Sequence, residues 1–527
     1  MMKYPIGIQS FDQIIEDGFV YVDKTDLIYQ LVTTGKIYFL SRPRRFGKSL
    51  LVSTLKCYFQ GRKELFRGLA IDKLETEWAE YPVFHIDFSK ISFLNPDVLE
   101  EKLEEQISAW EQVYGKGEFA FDFGSRFAYI LKQAHKQFGK RCVVLIEAYD
   151  KPVLDTLGTG LKIKRDTNEL LLETHHKQLL GSFYSILKSS DEDLHFVFIT
   201  GMTKFTQATP FSGFNNFNDI SMTEQYETLC GITQEELEHY FAEPIEALAK
   251  KYRTTPEGMK TMLKHRYDGY HFSDNLTDVY NPFSLLNAFA KRQLRDYWFA
   301  SGTPTYLIRL LNHTQEDLNE MTGRYYSPEE FIDYKADVEK PLPMIYQSGY
   351  LTVKDYDPIY DRFLLDFPNN EVKSGFVTLV AADYLKTKGS MSSWIIDVVE
   401  SLKKGNTEQL RTLFASFLAD IPYTMRDKRE KERYFHYTFY LIFRLISVYT
   451  VYTEKEQSQG RSDCIVETDD YIYIFEFKRD GSADEALAQI EAKGYARPYE
   501  TDKRKLYKIG VNFSSETGTV EEWKTVG

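Results

Sequence analysis

"KIYFLSRPRRFGKSLLVSTLKCYF", residues 36–59, is the stretch on which the fold turns. "KIYFL" is a short apolar run with the aromatic and β-branched bias of a strand. "SRPRRFGKS" is a loop carrying Gly47, Lys48 and Ser49. "LLVSTLKCYF" sets Leu50, Leu51, Leu55 and Phe59 at helical spacing. Strand, Gly-Lys-Ser loop and helix, in that order, make a phosphate-binding loop. Backbone amides at the start of such a helix point at the phosphates. Lys48 would reach the β- and γ-phosphates and Ser49 would ligate Mg²⁺, so ATP and Mg²⁺ are the expected cofactors. Arg45, Phe46, Gly47, Lys48, Ser49 and Leu50 form the expected cradle. The first glycine of the usual GxxxxGK[ST] pattern would fall at Arg42, so the formal pattern is broken.

Working outward, "YPVFHIDFS" (81–89), "RCVVLIEAYD" (141–150) and "LHFVFITGM" (194–202) read as further strands. Helical spacing fills roughly 97–114, 124–138 and 166–188 between them. This alternation predicts an α/β domain, a parallel sheet with helices on both faces. Ligands in such sheets sit beyond the strand C-termini, where Ser49, Glu147, Asp150 and Thr200 would converge. In nucleotide-hydrolysing enzymes the strand at 141–150 usually ends in two acids, one toward Mg²⁺ and the next polarising water. Here the second place is Ala148.

The bulk numbers frame this reading. A chain of 527 residues exceeds one core, which implies roughly two to four domains. It is 43% hydrophobic and 27% charged, ordinary for a soluble globular protein, and at 15% aromatic its cores should be rich in rings. No apolar run reaches the ~18 residues of a membrane span. The start "MMKYPIGIQSFDQ" lacks a signal-peptide core, so a cytoplasmic location is expected and no membrane partner. Four cysteines without a CxxC argue against a zinc site or a disulfide framework. A net charge of −13 means that any nucleic-acid partner needs a local basic face.

Residues 223–335 are mostly helical by spacing, and their tyrosines read as packing. Residues 340–370 read as a helix, two strands and a turn, a small winged-helix-like module. The basic stretches Lys291–Arg295 and Arg426–Arg433 read as solvated helix faces. The expected partition is a P-loop AAA-like ATPase domain (1–225), a helical lid with a winged-helix-like region (226–375), and a restriction-endonuclease-like α/β domain (376–527).

The third region rests on "GRSDCIVETDDYIYIFEFKRDGS" (460–482), two strands separated by "DD". Glu476 and Lys478 lie two apart, so both project from one strand face. Charge inside so apolar a strand needs a reason. Asp463 on the partner strand can lie beside Glu476, and the two carboxylates would bind Mg²⁺. Lys478 could then hold or activate a water against a phosphodiester. Asp, a spacer and Glu-x-Lys is the PD-(D/E)XK nuclease pattern. The helix "EKERYFHYTFYLIFRLI" (430–446) before it carries Glu432, and the helix after it offers Gln489 and Tyr495 inward. His85, His195, His175 and His176 read as structural.

"YVDKT" (21–25), "RPRRFGKSL" (42–50), "YDKP" (149–152), "ITGMTKF" (199–205), "FSGFNNFNDIS" (211–221), "YDGYHF" (267–272) and "YNPFSLLNAF" (280–289) together carry a resemblance. The chain resembles bacterial AAA-ATPase-like proteins with a C-terminal PD-(D/E)XK nuclease-like domain, over nearly its whole length. In that family the strand reads "LIDEYDKP". The resemblance therefore sets Glu147 at the Mg²⁺-side acid, Ala148 at the catalytic glutamate and Thr200 at a sensor near the γ-phosphate. It also implies that Glu432 completes the nuclease site with Asp463, Glu476, Lys478 and Gln489. Alanine can neither orient nor deprotonate water, and losing such a group typically costs about 10²–10⁴ in rate. Hydrolysis is therefore expected to be impaired, with Asp150, two residues on, a candidate substitute. A natural binding-only variant and a change made to trap ATP both remain open.

The expected function is an ATP-binding protein coupled to a Mg²⁺-dependent nuclease that cuts DNA or RNA. The alternative is a nucleotide-dependent switch or scaffold whose nuclease-like domain binds nucleic acid or a protein without cutting. AAA-type sites often borrow an arginine from a neighbouring copy, so a homo-oligomer is a candidate assembly.

Overall fold

The computed structural model describes residues 2–165, 168–205, 217–301, 321–332, 341–376, 391–419, 451–452, 456–457, 460–461, 464–514 and 519–527. The chain divides into two compact units, Met1–Val372 and Lys373–Gly527.

The first unit is built on strands β1 (Ile37–Ser41), β2 (Val83–Asp87), β3 (Cys142–Glu147), β4 (Leu194–Gly201) and β5 (Asn218–Asp219). All pair in parallel, in the order β2-β3-β4-β1-β5. The P-loop strand is thus flanked by β4 and β5, with β3 one place further out. Every residue of β3 is buried, as expected of a central parallel strand covered on both faces. Helix α1 (Lys48–Phe59) leaves β1 through the loop, and α2 (Val98–Tyr114) and α3 (Phe123–Phe138) follow β2. The expected helix over 166–188 begins at Leu172, as α4 (Leu172–Ser189). Ahead of it, Lys162–Arg165 and Asn168–Leu171 pair antiparallel as a small hairpin. "KIKR" and "NELL" are too short to show a period against the helix that follows.

The rest of this unit is helical at first: α5 (Gln234–Tyr252), α6 (Pro256–Tyr267) and α7 (Pro282–Lys291). Each starts with a threonine or asparagine side chain accepting a backbone N–H, which meets an otherwise orphaned donor. They bury Leu237, Phe241, Leu263, Tyr267, Leu285 and Phe289 in one core. Next come β6 (Arg324–Tyr326), the short helix α8 (Leu342–Gln347), β7 (Thr352–Asp357) and β8 (Arg362–Asp366). The expected helix and two strands are present, and β6 adds a third strand in the order β6-β8-β7.

The second unit contains α9 (Met391–Lys403) and α10 (Thr407–Ala419), then β9 (Val451–Tyr452), β10 (Cys464–Glu467), β11 (Tyr471–Arg479), α11 (Ala483–Lys493), β12 (Lys505–Phe513) and β13 (Val520–Val526). The sheet runs β9-β10-β11-β12-β13, and only β11 with β12 is parallel. A parallel pair needs a crossover, and α11 supplies it. Alternation along β11 then sorts its residues. Ile472 and Ile474 pack with Ile490 of α11. Tyr473 and Phe475 face the other way, where the Tyr473 hydroxyl donates to the Leu402 carbonyl of α9 at 2.6 Å.

Asp268, just past α6, is 1% exposed, and neither carboxylate oxygen meets a hydrogen-bond donor. Burial first, then the charge of Asp278, pushes its carboxyl up to about 7. The folded value lies above the unfolded one, so the stability it permits is full below pH ~4 and is lost as pH rises toward 7. Asp268→Asn should therefore gain about 1–3 kcal/mol on the wild type between pH 5 and pH 8, read by urea denaturation at both values.

Candidate nucleotide and nuclease sites

In-register neighbours of a parallel sheet project to the same face. Asp87 pairs with Glu147, and Glu147 with Thr200, so three polar residues stand level at the strand C-termini. Glu147 is buried, and its Oε1 accepts a hydrogen bond from the Ser49 hydroxyl of α1. A hydroxyl against a carboxylate at a helix start is the hard-oxygen pair that Mg²⁺ takes. Lys48 Nζ donates to the carbonyls of Arg42 and Pro43 at 2.8 and 2.9 Å. Burial lowers its ammonium to about 8, against the pull of Asp150 and Glu147. Gly47 sits at φ 93, where a side chain would be strained.

The unusual Arg42 is a staple of the loop. It is 1% exposed and donates through one nitrogen to the carbonyls of Ser41 (3.0 Å) and Ser221 (2.6 Å), and through another to Tyr226 (3.2 Å). Its guanidinium lies 4.1 Å from the centre of the Phe272 ring. Burial lowers its pKa from the usual guanidinium value. The next two arginines repeat the pairing: Arg44 faces Trp298 at 5.9 Å and Arg45 faces Phe283 at 4.8 Å. The Trp298 indole N–H also donates to the Arg44 carbonyl at 3.0 Å. Phe46 is buried edge-on against Tyr270 and Phe272, so its side chain belongs to the core and only its backbone faces the loop. Sequence reasoning missed these aromatics as loop supports, because they lie more than 200 residues away with no local signal.

Two expected residues have their polar groups already engaged. Thr200 is buried, and its hydroxyl donates to the Leu40 carbonyl at 2.8 Å, bracing β4 to β1. Asp150 is buried and accepts from the amides of Met202 (2.9 Å) and Thr203 (2.6 Å) and from the Thr203 hydroxyl (2.7 Å). Through Oδ2 it clamps the turn after β3 to the turn after β4. Burial raises its carboxyl, against those hydrogen bonds. Ala148 is half-buried at φ 53, a left-handed position that costs a non-glycine residue about 1 kcal/mol. Beside the loop, an apolar cavity of about 100 Å³ is bounded by Tyr21, Gly47, Leu50, Leu51, Phe241 and Pro282.

In the second unit, Glu476 and Lys478 share the α11 face of β11. Glu476 is 1% exposed. Its Oε1 accepts from the Gln489 side-chain amide, and Lys478 Nζ donates to the Gln489 carbonyl oxygen at 2.5 Å. Lys478 Nζ also lies 3.6 Å from Glu476 Oε1. Gln489 thus ties the carboxylate to the ammonium, while Tyr495 is buried in the core below. Asp463 and Glu432 lie outside the described residues. Among the described residues no group of three or more histidines, cysteines and acids could hold a metal. No helix among them is long and apolar enough to cross a membrane.

Residues 5–211 match the family model described as a predicted AAA-ATPase, and residues 430–523 match that of the PD-(D/E)XK nuclease superfamily. A protein of Azotobacter chroococcum mcd 1, "Uncharacterized protein in vnfD 5'region", is 34% identical over 531 residues, covering 98% of both chains. The chain belongs to the AAA-ATPase-like family with a C-terminal PD-(D/E)XK domain. No solved structure matches it. The AAA-ATPase-like match ends at residue 211, short of Tyr226, Phe272, Phe283 and Trp298, which hold the loop.

If Arg42 supports the loop as described, Arg42→Ala should cost about 2–4 kcal/mol in urea denaturation, because it removes charge-assisted hydrogen bonds and a stacked ring. Arg42→Gly, which restores the formal motif, should do no better.

Proposed function

We propose that this protein binds ATP at residues 42–50 and uses it to gate a Mg²⁺-dependent nuclease in its C-terminal unit. The observation that carries the nuclease half is the buried Glu476 tied through Gln489 to Lys478. A buried carboxylate beside an ammonium is costly, and an apolar pair of the same volume would pack as well. Such a pair is kept where chemistry needs it. Glu476, with Asp463 as the expected second carboxylate, has the oxygen donors that suit a hard divalent cation. When bound, the cation supplies Lewis acidity at the scissile phosphate. Glu476 would hold it, Gln489 would fix the rotamers of both charged neighbours, and Lys478 would hold and orient the attacking water and stabilise the charge that develops on the phosphate.

In the N-terminal unit, the loop amides, Lys48, Ser49 and Glu147 would hold the triphosphate and its Mg²⁺. The apolar cavity beside Gly47 and Leu50 suits the nucleotide base. With Ala148 in place of a carboxylate, turnover would be slow, so ATP would serve as a long-lived ligand. The net charge of −13 favours a second reading, a nucleotide-dependent switch whose C-terminal unit binds nucleic acid or a protein partner without cutting.

Plasmid DNA and single-stranded RNA incubated with the full chain, ATP and Mg²⁺ or Mn²⁺ separate the two. Glu476→Ala and Lys478→Ala should each lower cleavage by about 10²-fold or more while leaving ATP binding intact. Tight nucleic-acid binding with no cleavage would establish the switch instead.

A further inference from the structure

Ala148 leaves the nucleotide site without the carboxylate that would orient water, and Asp150 is buried with its Oδ2 taken up in bracing the turn after β4. One other acid stands on the right face at the right level. Asp87, the last residue of β2, is the register partner of Glu147. His85, two residues earlier, puts its Nε2 3.8 Å from Glu147 Oε2. That contact places the side chains of His85 and Asp87 on the Glu147 face, since residues two apart on a strand project together. Asp87 is only partly buried. Burial would raise its carboxyl, yet hydrogen bonds from Ser89 and the Lys90 ammonium hold it below the usual carboxylate range. The Ser89 amide donates at 2.8 Å, and Lys90 Nζ lies 3.1 Å from Asp87 Oδ2. Ser89 and Lys90 each take one Asp87 oxygen from the loop after β2, and a carboxylate oxygen can accept more than one hydrogen bond, so the partly buried Asp87 still has acceptor capacity toward the site.

We propose that Asp87 orients the attacking water in this chain, from the strand next to the one that lost its carboxylate. The proposal rests on the ATP-binding reading above. The water oxygen bonds to the γ-phosphorus as the bond from phosphorus to the β,γ-bridging oxygen breaks. The electron pair leaves on ADP, and the water proton passes through the Asp87 carboxylate to the released phosphate. Reaching across from a neighbouring strand, Asp87 would support slow turnover rather than none.

Phosphate release and ATP binding by calorimetry are measured on the full chain with Mg²⁺. Lys48→Ala, which removes the phosphate contact, sets the background. Asp87→Asn should lower the wild-type rate at least tenfold while the ATP Kd moves less than threefold. Should that variant misfold, Asp87→Ala with added formate gives the same test, because formate should restore part of the rate. Ala148→Glu should raise turnover by about 10²–10⁴, and adding Asp87→Asn to it should then change the rate less than threefold. A wild-type rate at the Lys48→Ala background, or an Asp87→Asn rate equal to wild type with ATP bound, overturns the proposal. Failure of the wild-type chain to bind ATP overturns the nucleotide reading and this proposal with it.

Discussion

The parallel register at the ends of β2, β3 and β4 is the constraint from which the candidate nucleotide site follows. Parallel strands cannot be joined by tight turns, so every crossover returns over a face of the sheet and buries the strands between. Polar groups can then collect only where the strands run out. In this chain they are Asp87, Glu147 and Thr200, level with one another. The carboxylate of Glu147 is buried there, and the Ser49 hydroxyl meets it. Because Ser49 lies one residue after Lys48 at the start of α1, satisfying Glu147 also fixes where the helix begins and where its amides point.

The loop leading to that helix solves an unusual problem. A phosphate loop usually opens with glycine because the backbone must turn tightly beside the ligand. Arg42 stands there instead and is held by carbonyls of Ser221 and Tyr226 and by the face of Phe272. Arg44, Arg45 and Phe46 each rest on a ring from the helical region. The loop's conformation therefore depends on residues 221–298 as much as on its own sequence. Trp298 extends the dependence, since its backbone amide donates to buried Glu371 at 2.6 Å. A ligand that draws Lys48 off the Arg42 and Pro43 carbonyls pulls on a loop braced from outside the sheet. That gives any ligand of Lys48 a physical route into the helical region.

Much of this was legible because it is local. Strand, loop and helix over 36–59, the buried run before Glu147 and the Glu-x-Lys pair each fit inside one short window. The supports were not legible, for the opposite reason. Nothing near Arg42 says that Phe272 will cover it, and nothing in "YDGYHF" says that Asp268 will be buried without a donor. Asp150 reads as a neighbour of Ala148 in sequence, whereas its partners Met202 and Thr203 come from the turn after another strand. Asp87 in "HIDFS" reads as an ordinary strand end until pairing sets it beside Glu147. Long-range register, rather than residue type, decides such cases.

The same logic explains how the C-terminal unit carries charge inside a sheet. On the neighbouring strand, the residue paired with Glu476 is Gly510. A Cβ there would come within 2.3 Å of the Ala483 carbonyl and 2.9 Å of Leu487. Glycine thus lets the start of α11 settle close over the sheet at that level, with its capping box at Ser482 and Glu485 holding the first turn. Close approach brings Gln489, further along α11, down to Glu476. Without it the buried carboxylate would lose the Gln489 amide, and losing a hydrogen bond to a buried charge costs about 1.5–3 kcal/mol. A bare glycine on one strand, a glutamate on the next and a glutamine on the covering helix are therefore one device. It holds a charged group in a dry place at a fixed distance from Lys478.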